Sequence, residues 1–158
     1  MESIFFHIDV NSAFLSWTAI DQLQKAKETD TLDSYVDLRD IPSIIGGDSA
    51  TRHGIVLAKS IPAKKYGIST AEPIASALKK CPSLVIASPD HHSYSAHSHA
   101  LMEFLSGYCP VIEQVSIDEC YMDYTPICRD FESPQAAATI IKAVSYTHLR
   151  AHETLANL

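Results

Sequence analysis

Three acidic residues stand where strand-like stretches of the sequence end, and together they could hold metal ions. Asp9 ends an alternating run near the start of the chain, and Asp118 and Glu119 separate two further runs, 111–117 and 120–124. Such runs predict strands, and a two-residue connection predicts a hairpin. Clustered carboxylates repel one another unless a cation neutralises them, and paired Mg²⁺ ions on such oxygen ligands can support phosphoryl transfer. Hairpin tips are also acidic simply because turns are exposed, so both interpretations stay open at this point.

The order of the predicted elements indicates how these acids are positioned. It reads strand, inserted small region, helix, strand, strand and helix. Without the insertion this order is β-α-β-β-α, one strand short of a ferredoxin-like β-α-β-β-α-β unit. The first strand of such a sheet lies beside the hairpin, so Asp9, Asp118 and Glu119 can converge. We therefore expect an α+β fold with an incomplete ferredoxin-like sheet and a small inserted subdomain.

Capping and turn residues set the other predicted boundaries. Side chains that can accept a hydrogen bond from a helix N-terminus predict four helix starts, at Ser12, Ser60, Thr70 and Asp90. The first of these helices is expected to reach about Lys27, and the last about Tyr108. Gly46-Gly47 predicts a turn after a short strand, and Ser133-Pro134 predicts a final helix that runs through Ala143.

The bulk composition is that of an ordinary soluble globular protein. Hydrophobic residues make up 46% and charged residues 20% of the 158 positions, and no apolar run approaches the roughly 20 residues of a membrane-spanning helix. The first residues carry an acid and lack the basic region of a secretory signal. The four cysteines form no C-x-x-C pair, which indicates free thiols in a reducing compartment rather than a zinc site. We expect a cytoplasmic protein that does not act at a membrane.

The charge is unevenly distributed along the chain. The net charge is −7, yet the segment from Arg52 to Lys80 holds six basic residues against one acid, Glu72. A local basic patch on an acidic body suits a phosphate-bearing ligand better than an extended grip on duplex DNA. A solvated helix face would explain the same cluster.

Two motifs resemble the catalytic motifs of Y-family DNA polymerases of the DNA polymerase IV type. The stretch 6–14, F-H-I-D-V-N-S-A-F, is similar to the first, and the stretch 115–123, V-S-I-D-E-C-Y-M-D, is similar to the second. Between them, the stretch 58–68, A-K-S-I-P-A-K-K-Y-G-I, is similar to the family's fingers helix. The resemblance covers about residues 3–144, and it implies template-directed, error-prone translesion DNA synthesis in DNA repair.

The resemblance implies that four of the motif residues bind metal and that three of them, Asp9, Asp118 and Glu119, are catalytic. Asp9 and Asp118 match the metal-ligand aspartates of the family, and Glu119 matches the active-site glutamate that also binds the catalytic metal. The backbone carbonyl of Val10 matches a further metal ligand. The implied cofactor is a pair of Mg²⁺ ions.

The nucleotide-binding residues are implied in the same way. Ser12 and Ala13 open a helix whose free N–H groups can bind triphosphate oxygens. Phe14 matches the steric gate, a ring that leaves no room for a ribose 2′-hydroxyl; by pattern alone it would be a core aromatic of an amphipathic helix. Lys64 matches a basic residue that contacts the triphosphate. Many relatives have arginine there and tyrosine where this chain has Ile61, so a lysine point charge replaces bidentate contacts.

The resemblance also implies a domain organisation. Residues 1–20 and 89–144 would form an incomplete palm, residues 21–88 would form the fingers, and the thumb and little-finger domains are absent. Residues 145–158 do not continue the apolar face of the last helix. We expect them to be a non-native tail, and a frayed native helix is the alternative.

The implied partners are primer-template DNA, deoxynucleoside triphosphates and a sliding clamp that would bind the missing C-terminal region. Phosphate contacts supply most of the affinity for duplex DNA, and most of the basic surface is expected in the missing domains. We therefore expect this chain by itself to be inactive or nearly so.

Two other functions compete with this interpretation. A non-catalytic Y-family accessory protein in a mutagenic repair complex would typically have lost a carboxylate, and here all three are present. A two-metal nucleotide cyclase would lack Phe14 and the inserted fingers.

Four histidines are interpreted as a solvated helix start: His91, His92, His97 and His99. His7 is assigned no role.

Overall fold

The described part of the chain, residues 3–48 and 53–151 of a computed structural model, combines strands and helices. Its strands are β1 Phe5–Asp9, β2 Ser43–Asp48, β3 His53–Lys59, β4 Val85–Ala87, β5 Ile112–Gln114 and β6 Glu119–Asp123. Its α-helices are α1 Ala13–Glu28, α2 Ile61–Lys65, α3 Ile74–Lys80, α4 His91–Ser106 and α5 Pro134–Ala151. The chain divides into two compact units, a first unit of residues up to Val10 and from Tyr94 onward, and a second unit of Asn11–Ser93. This architecture confirms the expected α+β class.

The sheet of the first unit has the strand order β1-β6-β5, with both pairs antiparallel. This is the order of a ferredoxin-like sheet, in which the first strand lies beside the hairpin. Phe6 and Ile8 of β1 pack, together with Met122 of β6, in the cluster that includes Leu105 of α4. Because successive side chains of a strand alternate between faces, the polar residues of β1, including Asp9, lie on the opposite face of the sheet.

The central strand of the second unit, β2, is buried on both of its faces. It runs antiparallel to β3 and parallel to β4. Ile44 lies in one apolar cluster with Ile74 of α3, and its neighbour Ile45 lies in another with Leu15 of α1. Burial on both faces explains why two isoleucines follow each other here, where a half-exposed strand would alternate with polar residues.

Strand β2 continues through the two glycines that predicted a turn. Gly46 and Gly47 lie inside β2, and the pairing with β3 shifts register around Gly46. A Cβ atom at Gly46 would lie 2.5 Å from the carbonyl oxygen of Ile55, so the close approach of the two strands requires glycine there. The predicted turn was wrong because glycine marks close backbone contact as well as chain reversal.

Two of the four predicted helix caps are confirmed. The hydroxyl of Ser60 accepts a hydrogen bond from the N–H of Ala63 at 3.0 Å, at the start of α2. The carboxylate of Asp90 accepts one from the N–H of Ser93 at 3.1 Å, at the start of α4. Both bonds satisfy N–H groups that have no partner inside the helix.

The predicted helix start at Ser12 is confirmed, although its side chain does not cap the helix, and the predicted start at Thr70 was wrong. Ser12 directly precedes α1, but its hydroxyl donates to the carbonyl of Lys59 at 3.2 Å and caps no N–H group. Thr70 lies too far upstream, because α3 begins only at Ile74 with Pro73 as the preceding residue. Proline fits this position since it fixes a suitable φ and its missing N–H is not needed there.

The connection between β5 and β6 is longer than predicted. It comprises residues 115–118, so β5 is shorter than the predicted run and Glu119 is the first residue of β6. The N–H groups of Val115 and Ser116 both donate to the carbonyl of Glu119, at 2.9 and 3.2 Å. The predicted two-residue turn at Asp118-Glu119 was therefore wrong, and Glu119 is held by the strand rather than by the turn.

Helix α5 is longer than predicted, reaching Ala151 rather than Ala143. The hydroxyl of Ser133 accepts a hydrogen bond from the N–H of Ala136 at 3.1 Å, which confirms the predicted start. Residues 152–158 of the predicted tail lie outside the described residues. None of the helices in the described part of the chain combines the length and the apolar character that crossing a membrane requires.

Candidate active site

Strands β1 and β6 bring three of the predicted metal ligands to one end of the first unit's sheet. Asp9 and Glu119 are directly paired across the two strands, and paired residues of antiparallel strands project from the same face. The N–H of Val10 donates to the carbonyl of Asp118 at 3.0 Å, so the two segments stay hydrogen-bonded just beyond the ends of β1 and β6. The predicted metal ligands Asp9, Val10, Asp118 and Glu119 therefore lie together at the end of the sheet where β1 and β6 pair.

Two of the three carboxylates have hydrogen-bond partners on the protein. Asp118 Oδ1 accepts a hydrogen bond from the Ser116 hydroxyl at 3.0 Å. Glu119 Oε1 lies 2.5 Å from His7 Nε2. Asp9 is exposed, and its carboxylate has no hydrogen-bond or ion-pair partner among the described residues. These carboxylates differ in how firmly the protein fixes them.

His7, which had no role assigned from the sequence, lies on the same face of the sheet as Asp9. Its ring stacks on that of Tyr121, its paired residue on β6, with centroids 4.8 Å apart and planes 25° from parallel. The alternation of β1 could have signalled this position, because residues two apart on a regular strand share a face. The contact with Glu119 could not be found in the same way, since it depends on pairing with a distant strand.

The donor set fits a hard divalent cation. Carboxylate and carbonyl oxygens are the ligands that Mg²⁺ prefers, and this ion is usually held by one or two carboxylates together with water and substrate phosphates. Within residues 3–48 and 53–151, no three His, Cys, Asp or Glu side chains are grouped closely enough to hold a metal ion by themselves. The unpartnered carboxylate of Asp9 opposite Glu119 is the feature that suits such a partial site.

The opposite face of this sheet, behind the acids, packs in the apolar cluster. Cys120 follows Glu119 in β6 and points into the apolar cluster, where it is fully buried. Burial raises the pKa of the Cys120 thiol, which favours its neutral form. The four cysteines are free, as the sequence predicted, and three of them are buried: Cys81, Cys109 and Cys120.

The predicted nucleotide-binding residues belong to the second unit. Ser12 has a left-handed backbone, with φ 52° and ψ 43°, an uncommon conformation for a residue other than glycine. Ala13, the first residue of α1, is buried. No side chain caps the N–H groups at the start of α1. The start of a helix is a position at which backbone N–H groups can bind an anionic ligand.

Phe14 is partly buried at the edge of the apolar cluster that contains Leu15 and Ile45. The rings of Phe14 and His91 pack edge to face, with centroids 6.2 Å apart and planes at 88°. Trp17, one turn along α1, lies 6.4 Å from the same ring. His91 was predicted to lie in a solvated helix start. It is exposed, but its ring also contacts Phe14, the predicted steric gate.

The basic segment supplies both structural and free lysines. Lys80 forms an ion pair with Glu72 at 2.5 Å. Lys64 and Lys65, by contrast, are exposed in α2, and their side chains have no hydrogen bond or ion pair with another described residue. Arg52 lies outside the described residues. Lysines in α2 are therefore the part of this segment best suited to meet a phosphate.

Comparison with known proteins agrees with these motifs. The family model described as impB/mucB/samB family matches residues 8–155. DNA polymerase IV of Clostridium acetobutylicum is 47% identical over 140 residues, which is 89% of this chain and 34% of that protein. The chain thus spans about a third of the length of the curated relatives it matches. The family-model match includes residues 145–155. The assignment of residues 145–158 as a non-native tail stays a prediction.

Solved structures support the same fold. The crystal structure of DinB from Sulfolobus solfataricus superposes with a TM-score of 0.69 at 21% identity, covering 95% of this chain and 39% of that one. A Y-family DNA polymerase chimera superposes with a TM-score of 0.66 at 20% identity, covering 89% and 37%. The family match spans nearly the whole chain, and the resemblance read from the two motifs is confirmed. The chain belongs to the impB/mucB/samB family, the Y-family of DNA polymerases.

Proposed function

We propose that this chain is the N-terminal catalytic part of a translesion DNA polymerase of the DNA polymerase IV type. The complete enzyme would add deoxynucleotides to a primer 3′ end opposite damaged template positions. The observation that carries the proposal is the direct pairing of Asp9 with Glu119 next to Asp118. A non-catalytic relative has no need of three such acids at one end of a sheet.

The proposed metal site consists of the carboxylates of Asp9, Asp118 and Glu119 and the backbone carbonyl of Val10. These oxygens would hold two Mg²⁺ ions, which when bound activate the primer hydroxyl and neutralise charge on the phosphates. The exposed carboxylate of Asp9 and the second oxygen of Glu119 are the protein's available donors. The Ser116 hydroxyl and the His7 ring orient the other two acids.

The proposed nucleotide-binding residues are Ser12, Ala13, Phe14 and Lys64. The N–H groups at the start of α1 would donate hydrogen bonds to triphosphate oxygens, and exposed Lys64 would add a point charge. Phe14 would act as the steric gate against a 2′-hydroxyl. Ile61, 75% exposed in α2, offers no hydroxyl at the place where many relatives have tyrosine.

We also propose that residues 1–20 and 89–144 act as the palm and residues 21–88 as the fingers. The substrates would be primer-template DNA and deoxynucleoside triphosphates. A sliding clamp would be bound outside this chain. Because most phosphate contacts to the duplex would come from further domains, this chain alone should extend primers poorly.

A primer-extension assay with two proteins tests this function. The first is the 158-residue chain, and the second joins its residues 1–144 to the part of the Clostridium acetobutylicum polymerase beyond the matched segment. We expect template-directed extension by the fusion and little by the chain alone. Asp118→Ala should reduce extension by the fusion to background. Glu113→Gln, which changes an exposed acid on β5, should leave it intact.

The two competing functions predict different outcomes. Extension that survives Asp118→Ala would refute the proposed metal site. A fusion that binds primer-template without extending it would favour the accessory-protein interpretation. A cyclic product from nucleotide alone would favour a cyclase.

A further inference from the structure

The ring of His7 is held on the exposed face of the first unit's sheet. His7 and Tyr121 are paired residues of β1 and β6, and their rings stack at 4.8 Å with planes 25° apart. Stacking restricts rotation of the imidazole about its χ2 bond, because a rotated ring would lose that contact. The ring therefore presents one edge in a defined direction.

That edge meets Glu119. His7 Nε2 lies 2.5 Å from Glu119 Oε1, within hydrogen-bond distance of the carboxylate. Glu119 has a second oxygen, Oε2, that this contact leaves free. Since Asp9 is paired with Glu119, the histidine and the aspartate lie two residues apart on the strand that faces the glutamate.

We propose that His7 is a positioning residue that holds Glu119 by Oε1 and presents Oε2 to a divalent cation beside Asp9. The inference rests on the proposed metal site and gives a role to a residue of the first motif that had none. A free glutamate side chain samples several rotamers and must give up that freedom when it binds a metal ion. A hydrogen bond that fixes its carboxylate in advance removes part of this cost.

A purely structural role would give a different result. The side chains of His7 and Glu119 are 47% and 31% exposed. A polar contact between side chains this exposed contributes little to folding, whether or not the histidine is charged. Loss of His7 should therefore weaken metal binding while leaving the unfolding transition nearly unchanged.

The test is a titration of the 158-residue chain with Mn²⁺, followed by electron paramagnetic resonance of the free ion. We expect His7→Ala to weaken Mn²⁺ binding by about 10–100-fold, the usual effect of losing an outer-shell partner. His7→Gln keeps an N–H donor and should recover part of the affinity. His99→Ala removes an exposed histidine of α4 and should have no effect. Urea unfolding of each variant checks that the fold is retained.

The outcomes separate this inference from the proposed function. If Asp9→Asn weakens Mn²⁺ binding and His7→Ala does not, the metal site stands and the positioning role of His7 is wrong. If Mn²⁺ binding is insensitive to both substitutions, the proposed metal site itself fails, and the role of His7 fails with it. Tighter binding by His7→Ala would also overturn the inference, because it would mean that the histidine competes with the metal.

Discussion

Phe14 shows how one residue can serve both packing and selectivity. Its ring lies against the cluster of Leu15 and Ile45, and His91 contacts it edge-on. It is only partly buried, so a portion of the ring remains accessible. A side chain held by neighbours on some sides and accessible on another can present a rigid wall to a ligand.

The steric-gate assignment predicts a change in sugar selectivity. In the fusion polymerase, Phe14→Ala should lower discrimination against ribonucleotides by an amount of the order of 10²-fold, which is what an apolar wall contributes against an added hydroxyl. Steady-state incorporation of matched deoxyribonucleotides and ribonucleotides gives the ratio of kcat/KM values. Phe14→Tyr keeps the ring and should retain most of the discrimination. Unchanged selectivity in Phe14→Ala would leave the residue as a core aromatic only.

At this scale the sequence predicted the acids better than their partners. Asp9 and Asp118-Glu119 were recognisable because strand alternation and the two motifs marked them. The contact of His7 with Glu119 joins residues 112 positions apart, and it depends on a pairing register that no local pattern records. The positions of the acids in the strands were therefore predictable from the sequence, whereas contacts between distant strands were not.

One ion pair links the two ends of helix α3. Glu72 precedes the helix and Lys80 ends it, and Lys80 Nζ also donates to the carbonyl of Gly67 at 2.8 Å. The hydrogen bond from Lys80 is the main cause that lowers the pKa of Glu72 below its ordinary 4.5. The ionised form of Glu72 is therefore favoured in the folded state.

This pair predicts a dependence of stability on pH. A carboxyl group with a lowered pKa in the folded state stabilises the fold above its ordinary pKa, and that contribution is lost as the pH falls through the lowered value. Urea unfolding between about pH 7 and about pH 3 should show Glu72→Gln less stable than the unsubstituted chain at neutral pH, with a difference that shrinks in acid. Lys80→Gln should behave similarly, and Lys79→Gln is the matched control. A constant difference across the range would contradict the assignment.

Element boundaries were predictable only where a local interaction sets them. Ser60 and Asp90 accept backbone hydrogen bonds within three residues, and both were identified correctly. Glu119 was placed in a turn, but the strand begins there because it pairs with Asp9 far away in sequence. Gly46 was read as a turn, whereas its real constraint is the approach of another strand.

In the molecule as a whole, the two units have separate apolar clusters. Leu105 is buried in the cluster formed by β1, β6, α4 and α5. Ile74 is buried in the cluster that α3 forms with β2 and β3. Each unit therefore has its own source of hydrophobic stabilisation.

Substitutions in the two clusters should have separable effects. Leu105→Ala and Ile74→Ala should each reduce the free energy of unfolding by about 2–5 kcal/mol, the usual cost of a cavity at a buried site. Hydrogen exchange should show the greatest loss of protection in β1 and β6 for Leu105→Ala, and in β2 and β3 for Ile74→Ala. Ile140→Ala, at a position 45% exposed, should change stability by less than about 0.5 kcal/mol. Equal loss of protection throughout both units would contradict separate cores.

The fold class was accessible from the order of elements because a ferredoxin-like sheet requires that order. The boundaries of the units were less accessible, since they fall at Val10 and Ser93, inside a motif and a helix rather than in a loop rich in glycine or proline. Composition marks linkers, and here no linker composition marks the division.

The pairing of β1 with β6 also sets an order of events on the ribosome. β1 is synthesised before the whole segment Asn11–Ser93, and its partner strand is synthesised after it. At about 5–20 residues per second, the 112 positions between His7 and Glu119 correspond to a wait on the order of 10 s. The second unit is continuous in sequence and can form during that interval. The carboxylates proposed to bind metal can thus meet only after the whole second unit has been synthesised.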